Sequence, residues 1–363
     1  MLSIEELLKA AVQKGASDLH LTVGVPPQLR IDGVLTPLPL EPLTDESVRT
    51  LAYQILDLQQ TAHFELAREL DTSYSMKGVS RFRVNLYRQR SSVAAAIRVI
   101  PFKIPSIPEL GLPPILEEFA NRPSGLFILS GPTGSGKSTT LAAMIHHINQ
   151  HRNCHIVSIE DPIEYLHSHG KATINQRELG VDTNSFQEAL RHVVRQDPNV
   201  IMLGEMRDLE TMTAAMTLAE TGHLVLTTLH TSDVVHAIHR IVDVFPSHQQ
   251  VQIRIQLSLA LIGIVVQQLL PKASGKGRVV ACEVLPMTPS AGNLIREGKL
   301  QELPSILQTG RKYGAGTMNQ ALVELYAKGL VTWEEISRRT SDLEELTSIL
   351  RTSGRLQSTS QGL

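Results

Sequence analysis

Across 363 residues, 34 Lys and Arg nearly balance 36 Asp and Glu for a net charge of −2, so no global field exists to grip nucleic acid or an anionic membrane, and a DNA motor is disfavoured. The length calls for two domains, and two isolated cysteines, Cys154 and Cys282, supply neither a disulfide framework nor a zinc cage, which fits a reducing cytosol. Residues 1–8 are acidic and amphipathic, unlike a signal peptide, and the most apolar window, 257–266, has about ten residues against the roughly 20 that span a bilayer, so it reads as a buried helix.

Residues 1–100 read as a small α/β domain. A helix is expected near 4–14, then short strands at 18–23 and 28–31, with Asp32-Gly33 between Ile31 and Val34 as a hairpin signal. Residues 45–69 carry a helical pattern. Residues 81–89 alternate as a strand, with Phe82, Val84 and Leu86 on one face and Arg81, Arg83 and Asn85 on the other, which makes that second face basic. A further strand is expected at 93–99. Pro101, Pro105, Pro108, Pro113 and Pro114 then crowd a segment that forms neither helix nor ladder, marking 101–115 as a linker.

Beyond it, apolar runs at 126–129, 155–159, 200–203 and 224–227 alternate with helical stretches, the pattern of a parallel sheet covered on both faces. From about 247 the pattern is mainly helical, apart from a strand pair around 278–285. The expected second domain is 116–353, and the polar residues 354–363 form a disordered tail.

Between the first of these strands and the next helix stands Gly131-Pro132-Thr133-Gly134-Ser135-Gly136-Lys137-Ser138, followed by Thr139. Polyphosphate binding needs a tight turn that aims several N–H groups at one anion, a cation and a metal-binding hydroxyl. The glycines permit the turn, Lys137 would reach the β and γ phosphates of ATP, and Ser138 would ligate Mg²⁺. Glu160, at the tip of the next strand, is placed to act on water as a general base. Glu205, just past the strand at 200–203, would hold the Mg²⁺ shell directly or through water. His223 and His230 flank the strand at 224–227, and only His230 shares the carboxyl edge with Glu160 and Glu205, where it could sense the γ-phosphate. Arg81 and Arg83, with Arg98 on the next strand, are candidates for arginines that meet the developing charge of phosphoryl transfer.

Together these residues resemble the secretion and pilus motor ATPases, in particular the PilT-type retraction ATPases of type IV pili. Residues 131–138 look like their Walker A, 159–165 like their Asp box, 204–208 like their Walker B, 220–231 like their His box, and Ser17-Asp18-Leu19-His20-Leu21 like their opening strand. The resemblance implies a PAS-like amino-terminal domain joined to a RecA-like motor domain, and a homohexamer with nucleotide at the cleft between domains, approached by Arg81 and Arg83. It also gives Glu160 the base role and Glu205 the magnesium role.

Partners implied are an inner-membrane pilus platform protein, pilin and a second retraction ATPase, with the ring in the cytoplasm against the inner membrane. Retraction is favoured over assembly because the chain opens on the small domain without a tetracysteine motif, and because Asn293-Leu294-Ile295-Arg296-Glu297-Gly298 is similar to a retraction signature. Ala291-Gly292 departs from that signature, where an apolar residue and an arginine are usual. An accessory retraction paralogue and an assembly ATPase remain alternatives, as does a ring in which nucleotide only regulates partner affinity. A small-molecule kinase would need an acceptor pocket and a lid, and no lid-like arginine-rich insertion follows the start of the sheet.

Overall fold

The computed structural model describes residues 3–31, 33–100 and 104–352. Asp32 of the expected hairpin, Pro101 of the expected linker and the tail at 354–363 lie outside the described residues. The chain divides into two compact units, Met1–Lys103 with Glu164–Leu166, and Ile104–Ile163 with His167–Leu363.

The first unit opens with the helix Ile4–Gln13, started by a capping box in which Ser3 and Glu6 satisfy each other's backbone N–H groups. Its strands are β1 (Asp18–Leu21), β2 (Gln28–Ile31), β3 (Val34–Pro37), β4 (Glu69–Met76), β5 (Ser80–Gln89) and β6 (Ser92–Ile100). They form a six-stranded sheet in the order β3-β2-β1-β6-β5-β4, antiparallel throughout. The helical stretch expected at 45–69 is two helices, Asp45–Tyr53 and Leu58–Ala67, the second capped by Asp57. Phe82, Val84 and Leu86 are fully buried on one face of β5, against Leu8, Leu19, Phe64 and Ile97. On the other face Arg81 donates to Ser73 Oγ at 2.7 Å, while Arg83 is exposed and lies opposite Arg98.

In the second unit the strands are β7 (Gly125–Ser130), β8 (His155–Glu160), β9 (Thr173–Glu178), β10 (Val200–Leu203), β11 (Leu224–Thr228), β12 (Leu261–Pro271) and β13 (Arg278–Pro286). The order is β13-β12-β7-β11-β10-β8-β9, parallel except for β13, which runs antiparallel to β12. Alternate residues of β7 feed opposite cores, Leu126 and Ile128 one and Phe127 and Leu129 the other. Both faces are therefore covered by helices, as the apolar runs require.

Two expectations change here. The window 257–266 is not one helix: the helix Gln250–Ala260 ends and β12 begins at Leu261. A continuous apolar run suits a buried strand as well as a buried helix, and β-branched Ile262, Ile264, Val265 and Val266 favour the strand. The strand pair around 278–285 is the single strand β13, whose partner is β12. In the described part of the proline-rich segment, Ile107, Leu112 and Ile115 enter the second unit's core.

Candidate nucleotide site

All the candidate residues of the second unit except His223 fall at the carboxyl edge of the parallel strands, where loops leave an α/β sheet and ligands bind. The loop starts from Ser130, whose Oγ accepts from the Thr231 N–H at 2.9 Å and so ties it to the segment after β11. Gly131 has φ 138°, and a Cβ there would come within 2.4 Å of the Gln267 carbonyl oxygen. Gly136, at φ 88°, caps the helix Lys137–His151. Only glycine fits such a backbone at such a distance.

Lys137 is buried, and its ammonium donates to Gly131 O at 2.8 Å and Pro132 O at 3.1 Å, closing the loop. Ser138 and Thr139 are half-buried in the first helical turn, and Pro132, Thr133 and Gly134 are exposed on the loop's crest. Ser135 Oγ is buried with no hydrogen-bond partner among the described residues. Buried hydroxyls are ordinarily satisfied, so this one and the glycine cradle fit a loop built around a bound anion.

Glu160 ends β8 and is only 7% exposed. Its Oε1 accepts from Ser158 Oγ at 2.6 Å and from Gln176 Nε2 at 3.0 Å, which fixes the carboxylate's direction. On the neighbouring strand end, Glu205 Oε1 pairs with Arg207 at 2.5 Å and Oε2 lies 3.3 Å from His230 Nε2. The other ring nitrogen, His230 Nδ1, lies 3.4 Å from Lys137 Nζ. An ammonium only donates, so Nδ1 accepts and Nε2 carries the proton toward Glu205. Lys137, His230 and Glu205 are thus one connected chain of contacts. No group of three or more His, Cys, Asp or Glu among the described residues is arranged for a metal. An ion held by one acid, one hydroxyl and substrate phosphates is the usual manner of Mg²⁺, a donor set that Ser138 and Glu205 would supply.

His223 belongs elsewhere: its Nδ1 bonds Leu218 O at 3.0 Å at the strand's amino end, closing the preceding helix. Arg81 and Arg83 lie on β5 of the first unit. Sequence reading missed Ser158, Gln176 and Gln267. The last is buried on β12, and its Nε2 donates to Ser135 O at 2.5 Å. No local pattern marks it, since its partners on the loop and the following helix lie far away in the chain.

A parallel sheet with a glycine-rich loop between β7 and the following helix, and acids at adjacent strand tips, defines a P-loop ATPase domain of the RecA kind. The chain belongs to the Type II/IV secretion system protein family, whose profile matches residues 2–338. It is 45% identical over 333 residues to the type IV pilus retraction ATPase PilT of Pseudomonas aeruginosa, covering 92% of this chain and 96% of the relative. To the type IV pilus ATPase PilU of the same organism it is 42% identical over 350 residues, 96% of this chain and 92% of the relative. A crystal structure of the pilus retraction motor PilT with bound ADP superposes with a TM-score of 0.90 at 48% identity, covering 96% of this chain and 100% of that one.

Proposed function

We propose that this chain binds ATP with Mg²⁺ at residues 131–139 and hydrolyses it, as a subunit of a homohexamer, to power type IV pilus retraction and twitching motility. The observation that carries the reading is the meeting of Lys137, His230 and Glu205 at one sheet edge, in a chain 45% identical to PilT.

The N–H groups of the loop and of the first helical turn face the polyphosphate, and Lys137 exchanges its carbonyl partners for the β and γ phosphates. Ser138 and Glu205, the latter directly or through water, would hold Mg²⁺, which when bound would neutralise charge developing on the phosphates. Glu160, held by Ser158 and Gln176, orients the attacking water and takes its proton. His230 reports the γ-phosphate to Glu205. Arg81 and Arg83 stabilise the transferring phosphoryl group of a neighbouring subunit; unchanged turnover in an Arg81→Ala/Arg83→Ala double variant removes that part.

No described helix is long and apolar enough to cross a membrane. In this reading, attachment to an inner-membrane platform protein, from the cytoplasmic side, is the route by which motion reaches pilin. A second retraction ATPase is a further partner. Gene deletion tests the whole reading. Abundant surface pili without twitching support it, bald cells point to assembly, and normal pili with normal twitching count against it.

A further inference from the structure

Gln267 follows Val266, the last residue that β12 pairs with β7, and it is 1% exposed. Its amide is used at both ends. Nε2 donates to Ser135 O at 2.5 Å, and Oε1 accepts from Thr140 Oγ1 at 2.9 Å. Its backbone oxygen is what a Cβ at Gly131 would strike, and its Nε2 is what a Cβ at Gly136 would approach to 3.1 Å. One residue therefore touches the loop at its first glycine, at its last turn and at the helix that follows.

The peptide bond is planar and trans, so the Ser135 carbonyl and the Gly136 N–H point in opposite directions across one rigid plane. Holding Ser135 O against Gln267 aims the Gly136 N–H away from β12. We propose that Gln267 is a positioning residue for nucleotide binding, fixing the Ser135–Gly136 peptide so that its N–H faces the phosphates. This rests on the reading that residues 131–139 bind ATP. A carbonyl needs a donor and a hydroxyl needs an acceptor, and a side-chain amide at 267 meets both with one group.

The test is titration of full-length protein with a fluorescent ADP analogue, alongside circular dichroism to confirm that each variant is folded at the assay temperature. Gln267→Met fills similar volume without the hydrogen bonds and is expected to weaken ADP binding about tenfold. Gln267→Glu sets an oxygen against Ser135 O and is expected to bind more weakly still, an order that packing alone does not produce. Thr140→Val removes only the partner of Oε1 and is expected to cost about threefold. Wild-type affinity in Gln267→Met, or losses that merely track the unfolded fraction, overturns the proposal. Should Gln267→Met not fold, an unchanged affinity in Thr140→Val overturns it alone. Lys137→Ala separates the two readings: if it still binds ADP like wild type, the loop itself is not the site, whatever Gln267 does.

Discussion

His230 Nε2 lies 3.3 Å from Glu205 Oε2, which joins the loop after β11 to the loop after β10 at their tips. The same imidazole accepts from Lys137, 93 residues earlier in the chain. In the proposed mechanism, a phosphate that drew Lys137 away would change the partner of Nδ1, and the change would reach Glu205 through one ring. The proposed reporting role needs a ring that can both accept and donate.

His230→Ala is therefore expected to lower kcat for ATP hydrolysis by about 10- to 100-fold, the worth of a hydrogen bond to a charged group, with KM for ATP changed far less. Steady-state phosphate release measures both. A raised KM at unchanged kcat would make His230 a binding residue and nothing more.

The loop glycines should separate by what surrounds them. A methyl at Gly131 meets Gln267 O at 2.4 Å, backbone that cannot move without moving β12, whereas at Gly134 nothing lies within 4 Å. Gly134, at φ 78°, still imposes backbone strain on any other residue. Gly131→Ala is expected to abolish ADP binding and to cost several kcal/mol, and Gly134→Ala to cost about 1–2 kcal/mol. Thermal denaturation with and without ADP ranks them; equal effects would mean that the close approach to β12 is not what demands glycine at 131.

The loop, the four central strands and the tips bearing Glu160, Glu205 and His230 were legible because their signals are local: an apolar run, a spacing, a residue just past a strand. Gln267 was not, because its partners are 127 and 132 residues away and no spacing encodes them. β9 was missed for a different reason. It is an edge strand with only Ile174 and Glu178 buried, so it carries no apolar run. β12 was misread because a run buried on both sides has no period to distinguish strand from helix. Prolines at 105–114 rightly forbid regular structure, yet they do not forbid packing, as buried Ile107 and Leu112 show.

The altered signature is open to test on the helix Pro289–Glu297. A Cβ at Gly292 would meet Ser258 O, Met287 Sδ and Arg296 Nη1 at 3.6, 3.7 and 3.8 Å, ordinary contacts. Gly292→Ala is thus expected to stabilise the protein by about 0.5–1 kcal/mol, the helical cost of glycine, with ATP hydrolysis unchanged. A lowered melting temperature would show that the site is closed to a side chain.

Arg296 lies on the same helix, its Nη1 3.4 Å from Ser258 Oγ. Arg296→Ala is expected to abolish twitching in a complemented deletion strain while hydrolysis stays within about twofold of wild type, a difference too small to report a lost transition-state contact. Equal loss of both counts against a coupling role.

Glu283 gives the last prediction, in pH. On β13, its Oε1 accepts from the Val234 N–H at 2.9 Å and its Oε2 from the Met318 N–H at 3.4 Å, so one carboxylate caps two helices. Burial raises its pKa above 4.5; the two N–H groups oppose that rise, and Asp233 and Glu345 add to it. Between 4.5 and the raised value the folded state holds more protons than the unfolded chain, so stability from this group is full below 4.5 and is lost as pH rises through the folded pKa. Glu283→Gln keeps an acceptor but cannot ionise. The melting temperature of the variant minus that of wild type should therefore grow more positive from pH 4.5 to 8, with titrations not coupled to Glu283 cancelling in the difference. A difference that stays flat, or falls with pH, means that the two helix ends hold the carboxylate ionised at no cost.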